Sequence, residues 1–413
     1  MKSRQLRTLG WLTLPLLLLG TPGPSAATQV TIGPSAELTL ADAVKLGVEK
    51  HPALRAATNQ AAAAAAGVDQ ARAGFLPRVD FSEGITRSDN PVYAFGQLLN
   101  QGRFTAADFA VDRLNHPDPI SNWRTNIGGS VPLFMGGRTI LGYQQAQLGR
   151  ESAEHGRARV EHEIIFGVVG AYYGVLLAQE AQATVEASAR TAEANLSAAE
   201  ARNDAGVAVA SDVLAARVRL ARLREEAIAA ANQVKLARAS LNDAMGVALD
   251  QSYKITGQLD IVPLRYERLD GLEELAREHR PDYRQAALEE QRLEKEVLRA
   301  KGAFLPTMNL MGNYEINNHR FSSDGQDSWA VGVLLNVNLF NGGADRARLV
   351  EAQANQQRAV AMRERLASAI GLEVHDAFLA LQTAHERVTV AKDAVIQAII
   401  RNSASRREWW KAA

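Results

Sequence analysis

The densest group of metal-ligand residue types in the chain is Glu161-His162-Glu163, with His155 seven positions earlier. Successive helical residues point about 100° apart, so these three neighbours cannot converge on one ion. His155 and His162 share a helix face, but no third ligand completes a set. The eight histidines form no other grouping, and no Ser-His-Asp arrangement or phosphate-binding loop is present. Gly136-Gly137 and Gly342-Gly343 resemble phosphate turns only superficially and read as tight passages from strand to helix. The chain has no cysteine, which removes disulfides, thiolate metal sites and a lipidated cysteine near the N-terminus. The side chains therefore predict no catalytic residue, no cofactor and no metal. The chemistry to explain is that of surfaces.

Residues 1–27 read as a secretory signal peptide. Lys2, Arg4 and Arg7 precede a short apolar stretch, Leu9 to Leu19, and Ser25-Ala26-Ala27 supplies small residues for cleavage. The apolar stretch is shorter than the roughly 20 residues a membrane helix needs. The rest of the chain carries 43 basic and 46 acidic residues, a net charge near −3, which gives no electrostatic case for nucleic acid.

A segment that occurs twice organises the remainder. Gly74-Phe75-Leu76-Pro77 matches Ala303-Phe304-Leu305-Pro306 at an offset of 229 residues. Val131-Pro132-Leu133-Phe134-Met135-Gly136-Gly137 matches Val337-Asn338-Leu339-Phe340-Asn341-Gly342-Gly343 at 206. The difference of 23 residues must lie in the loop between each pair of strands. His51-Pro52 and Arg280-Pro281 also match at 229 and mark a break near the start of each half.

The first half opens with a helix capped by Thr39 and runs to about Ala73, through the alanine run 61–66. Val79, Phe81 and Ile85 then alternate with Arg78, Asp80, Ser82 and Thr86, the period of two of a strand. Residues 89–121 read as a long loop. A second strand places Trp123, Thr125, Ile127, Val131 and Leu133 opposite Arg124, Asn126, Gly128 and Ser130. A helical pattern of about 67 residues follows, over 138–204, on the order of 100 Å long. Helices in ordinary globular domains average about 11–12 residues, so this length suits a coiled coil or helical barrel. Ala205-Gly206-Val207 reads as a turn, with Ser211 or Asp212 as the next N-cap, and the returning helix closes at Met245-Gly246.

Residues 248–270 read as an irregular connector, and the pattern restarts at 271. Its strands carry Met308, Leu310, Tyr314 and Ile316 on one face, then Trp329, Val331, Val333, Leu335, Val337 and Leu339. A long helix with the stripe Leu366, Ile370, Val374, Phe378 and Leu381 ends the chain. The expected organisation is thus a signal at 1–27, a first repeat at 28–247, a connector at 248–270 and a second repeat at 271–413. The strands fall near 77–88, 122–134, 306–317 and 328–340.

Four strands with one apolar and one polar face, the second and fourth feeding helices near 100 Å long, do not suit a soluble sandwich. Transmembrane barrel strands have this alternation and need about 9–11 residues. Trp123 and Trp329 match at 206 and lie toward the loop ends of their strands, where an aromatic membrane-interface belt belongs. Four strands cannot close a useful bore, and lipid does not tolerate open sheet edges, so the barrel must be shared between copies.

The chain resembles the TolC-type outer-membrane efflux proteins from about 38 to about 400. The resemblance rests on the duplicated Phe-Leu-Pro turns, the two Leu-Phe-x-Gly-Gly exits, and Ala205-Gly206-Val207 followed by Ser211-Asp212-Val213-Leu214. It implies an α+β membrane protein. A coiled-coil helical barrel would continue into a transmembrane β-barrel that a homotrimer shares. It further implies an outer-membrane channel-tunnel with a large periplasmic part, exporting small molecules or proteins together with an inner-membrane pump and a periplasmic adaptor protein. The residues matching the family's periplasmic tip, where the adaptor docks, are Ala205, Gly206, Val207, Ser211 and Asp212. A periplasmic coiled-coil scaffold is the alternative; it explains the helices and leaves the strands without a use. An exported enzyme with a helical insert would need a polar constellation that is not found.

The second half has no counterpart of 207–247. By the offset of 206, its hairpin turn would fall at 412, one residue before the end. After about Arg401 the apolar period is lost in Ser403-Ala404-Ser405-Arg406-Arg407-Glu408-Trp409-Trp410-Lys411. The sequence expectation is a second repeat lacking its last helix, with the stripe at 366–381 short of one covering partner.

Overall fold

A computed structural model describes residues 37–257, 259, 268–321 and 324–412, with side chains through 401 in the last helix. The signal peptide, part of the connector and the side chains of 402–413 lie outside the described residues.

A two-residue strand β1 (Glu37–Leu38) leads into α1 (Leu40–Lys50), capped as the sequence predicts: the Thr39 hydroxyl oxygen accepts from the Asp42 N–H. His51 ends α1 in an extended conformation, because the following proline disfavours helical geometry there. Pro52 then opens α2 (Pro52–Ala73), with His51 Nδ1 accepting from the Ala53 N–H at 3.1 Å. The Pro77 turn follows, and β2 (Arg78–Ser88) begins.

The stretch read as a loop contains structure: α3 (Pro91–Asn100), a short 3₁₀ turn (Ala106–Phe109) and α4 (Val111–Asn115). Its signal was present in Asn90-Pro91. The Asn90 side chain caps α3 by accepting from the Tyr93 N–H, and Pro91 occupies the first turn. Phe95, Phe104 and Phe109 stack edge to face, with centroids 4.9 and 5.0 Å apart, and give this segment a small core.

Next come β3 (Ile120–Phe134), the 67-residue α5 (Arg138–Asp204), α6 (Ala210–Met245), β4 (Lys254–Ile255), α7 (Leu272–His279) and α8 (Pro281–Lys301). The chain then forms β5 (Thr307–Asn318), β6 (Gln326–Asn336) and α9 (Ala344–Ala412). The sequence extends the fourth strand to 340, but β6 stops at Asn336. Asn336 pairs with Thr307, the first residue of β5, so residues beyond it have no ladder partner among the described residues.

The strands β2, β3, β5 and β6 form one antiparallel sheet in that order, and β1 pairs with β4 in parallel. Gly136, Gly137, Gly342 and Gly343 all have positive φ, at the exits from strand to helix. At the first exit a side chain is also excluded by proximity: a Cβ on Gly136 would lie 2.3 Å from the Gly302 carbonyl oxygen.

The main core lies where α1, α5 and α6 meet. Leu46, Val168, Tyr172, Val175, Leu241 and Met245 are buried together with Leu38 and Tyr253. Tyr172 donates to the Thr256 carbonyl and lies 3.1 Å from that of Leu38, which ties the small β1–β4 sheet to α5. Asn242 is fully buried and fully used: its amide donates to the Leu249 and Gln251 carbonyls, and its Oδ1 accepts from the Tyr253 hydroxyl. In the second half Ile370 is buried, while Leu366, Val374 and Phe378 are half-buried beside α7 and α8. The stripe at 366–381 is thus partly covered by α7 and α8. An apolar groove remains between Leu272, Leu275, Ala276, Val374, Phe378 and Leu381.

Candidate functional site: the four-stranded sheet and the hairpin tip

Strand alternation gives the sheet two unlike faces, and the register shows which residues share a row. On one face, Val131, Leu310 and Val333 form a row, followed by Val79, Gly129, Gly312 and Val331. Phe81, Ile127, Tyr314 and Trp329 make the next row. All of these except the glycines are large and apolar, and most stand exposed, Trp329 at 74%. The other face carries Arg78, Asp80, Ser82 and Thr86 on β2, Arg124 and Asn126 on β3, Asn313 and Glu315 on β5, and Ser328 and Asn336 on β6.

The row beyond Trp329 holds Glu83, Thr125, Ile316 and Asp327. Glu83 therefore shares the face of Val79, Phe81 and Ile85, a position the alternating apolar pattern passes over. Thr125 Oγ1 donates to Glu83 Oε2 at 2.5 Å, and the Tyr314 hydroxyl donates to Asp327 Oδ2 at 3.3 Å. The uninterrupted apolar rows thus end at an aromatic row followed by carboxylates. Trp123 stands one row further out, opposite Ile85 and Asn318, with its ring edge to face with Phe321 at 5.4 Å. The two matched tryptophans share the apolar face but occupy different rows.

The polar face carries a hydrogen-bond chain near its loop end. Gln101 Nε2 donates to the Ser121 carbonyl and to Asn122 Oδ1, both at 2.9 Å. Asn122 Nδ2 donates to Asn317 Oδ1 at 2.7 Å, and Asn317 Nδ2 to Glu315 Oε1 at 2.7 Å. Glu315 also pairs with Arg124 at 3.0 Å. Asn122 and Asn317 are 2% and 1% exposed, so this network is a built feature of the sheet's polar side.

At the far end of the long helices, α5 terminates in a Schellman turn. The Val207 N–H donates to the Arg202 carbonyl and the Gly206 N–H to that of Asn203, both at 2.9 Å, with Gly206 at φ +77°. Ala205 is the C-cap residue, and Val207 and Val209 project into solvent. Neither Ser211 nor Asp212 caps α6. The helix starts earlier, at Ala210, with Val209 as N-cap, which places Asp212 in the first turn, where its charge suits the helix dipole. The Asp212 N–H donates to the Val209 carbonyl. No group of three or more His, Asp or Glu side chains able to hold a metal occurs among the described residues, and Glu161 and Glu163 instead pair with Arg157 and Arg159 along α5.

Both the sequence and the fold match known proteins. The model of the outer membrane efflux protein family matches residues 44–247 and 272–407. The chain belongs to that family. It is an outer-membrane transport protein of the Gram-negative type and not an enzyme. Protein CyaE of Bordetella pertussis is 29% identical over 358 residues, which cover 84% of this chain and 70% of CyaE. The outer membrane protein VceC of Vibrio cholerae has a similar fold: TM-score 0.72 at 20% identity, covering 87% of this chain and 82% of VceC. The Campylobacter jejuni CmeC outer membrane channel superposes with TM-score 0.67 at 18% identity, covering 80% of this chain and 68% of CmeC.

Among the described residues one helix, α5, is long and apolar enough in one stretch to cross a membrane by length and composition. Ile164, Val168, Tyr172, Val175 and Leu176 of that stretch are packed in the main core. They therefore serve helix packing.

Proposed function

We propose that three copies of this efflux-family chain close their sheets into one twelve-strand barrel in the outer membrane, with the long helices forming a periplasmic tunnel below it. The observation that carries this reading is the sheet itself. It has an exposed apolar face, a polar face, and two long edge strands, β2 and β6, whose outer edges have no partner among the described residues. Lipid suits the first face and water the second, but lipid cannot satisfy the edges, so β6 of one copy must pair with β2 of the next. The outer side of α5 supports association: Phe166, Tyr173 and Leu177 are exposed at helical spacing on the side away from the core.

The barrel and tunnel serve export of small molecules or proteins, with an inner-membrane pump supplying the energy and a periplasmic adaptor seated on the tip at Ala205–Val207 and Ser211–Asp212. Removal of residues 1–27 on export fits this route. The two halves act as repeats, 28–247 and 271–413, joined by 248–270. Trp123 and Trp329 are assigned to the outer membrane interface, with Trp123 the further out along its strand. A scaffold without a channel would leave the apolar face in water, which such an exposed area opposes.

Native mass spectrometry of the detergent-extracted protein, followed by planar-bilayer recording, tests the proposal. A trimer that conducts ions is expected. A monomer that stays soluble without detergent would contradict it.

A further inference from the structure

The segment between β2 and β3 folds back over the polar face of the sheet. Gln101, at the C-terminal end of α3, reaches Asn122, and Asn122 in turn holds Asn317 on β5; all three are buried. Arg103 Nη1 donates to Gln101 Oε1 at 3.1 Å and fixes the amide from the other side. Tyr93 and Gln97 of α3 share a small cavity with Ser82, Thr86 and Arg124 of the polar face. Gly102 sits against β6, so close that a Cβ there would lie 3.2 Å from Gln326 Oε1. The segment therefore touches β3, β5 and β6 on the side opposite Trp329, and has its own core of Phe95, Phe104 and Phe109.

From this geometry we infer that residues 91–115 are an inward-folded plug that sets the bore at the outer mouth and excludes bulky solutes from outside. The inference rests on the barrel reading above, which makes the polar face the lumen wall. Eight-strand barrels are filled by their own side chains and barrels of about 16–18 strands leave an aqueous channel, so twelve strands give an intermediate bore. A helix with side chains is about 10–12 Å across. Three such helices, one on each third of the wall, would occupy most of that bore. The chain of Arg103, Gln101, Asn122 and Asn317 is the latch that holds each one down.

The chain has no cysteine, so a single one reports cleanly. Asn313 is exposed on the polar face, four residues inward of Asn317. Asn313→Cys would be treated on intact cells with a small charged maleimide and with a bulky polyethylene-glycol maleimide. Three backgrounds would be compared: the native plug, Gln101→Ala, and replacement of 91–115 by a short Gly-Ser linker. The small reagent should label all three. The bulky reagent should be slow with the native plug and at least about tenfold faster in the other two, a barrier change of ~1.4 kcal/mol. Equal bulky-reagent rates in all backgrounds would overturn the plug. Failure of the small reagent even without the plug would show that Asn313 faces no water, which overturns the barrel reading and the plug with it. If the linker chain does not reach the membrane, Gln101→Ala decides alone.

Discussion

Tyr314 and Trp329 stand directly opposite each other across β5 and β6, in the same row as Phe81 and Ile127. They end the uninterrupted apolar rows, and the next row brings Glu83 and Asp327. On the barrel reading the hydrocarbon boundary falls between these two rows. Val333, two rows inward of Trp329, then lies in lipid, whereas Asn336 lies on the water side. Val333→Arg should cost about 2–4 kcal/mol of barrel stability and Asn336→Arg much less. Thermal dissociation of the extracted trimer measures both. Equal losses would contradict the assignment of faces.

The hairpin tip supports a second prediction. Gly206 needs a positive φ, but a side chain there would meet nothing within 4 Å. A bulky residue should therefore strain the turn by roughly 1–2 kcal/mol without clashing with the fold. Gly206→Phe should assemble normally and dock its adaptor poorly. Crosslinking yield to the adaptor, normalised to trimer, reads this; unchanged yield would place docking elsewhere.

Acid should loosen the α7–α8 corner. Arg280 donates to Asp282 through Nε at 3.0 Å and Nη2 at 2.7 Å, and it also pairs with Glu373 on α9. The hydrogen bond from Arg280 holds the Asp282 carboxyl below its ordinary 3.8. A depressed folded value means stability that is present above the unfolded value and lost as pH falls through the folded one. Asp282→Asn should thus be less stable than the native chain at neutral pH, and the gap should narrow below about pH 4. A pH-independent gap would assign the loss to packing.

The two halves should differ in sensitivity to truncation of their apolar contacts. Leu241 is fully buried between α1, α5 and α6, so Leu241→Ala should cost about 2–5 kcal/mol. Phe378 is half-buried along the open groove beside α7. Water can reach the space it leaves, so Phe378→Ala should cost less than about 2 kcal/mol. Denaturant unfolding of each variant in detergent gives the comparison, and a larger loss at Phe378 would show that the groove is covered in the assembly.

Much of this architecture was legible because local signals and long-range packing agree. Thr39, Pro52 and Pro281 set helix starts through steric and capping rules that need no tertiary context, and α5 kept a helical pattern over 67 residues. Strand alternation gave the two faces. The misses arose where the deciding partner is distant. Val209 displaced Ser211 and Asp212 as N-cap because the turn after Gly206 lets α6 start sooner. β6 lost residues 337–340 because β5 supplies no partner for them. Glu83 was passed over because a single acid within an apolar alternation looks like noise until Thr125 is seen beside it. The short helices of 91–115 were hidden by the Gly and Pro around them, although Asn90-Pro91 announces the first.

A barrel wall built from this sheet requires lipid on one side of β6 and water on the other. Single cysteines from Ser328 to Asn336 in the cysteine-free chain, probed with a small water-soluble maleimide in native outer membranes, test this directly. Reaction should alternate: fast at Ser328, Ala330, Gly332, Leu334 and Asn336, slow at Trp329, Val331, Val333 and Leu335. Uniform reaction along the strand, or alternation in the opposite phase, would contradict a membrane barrel built from this sheet.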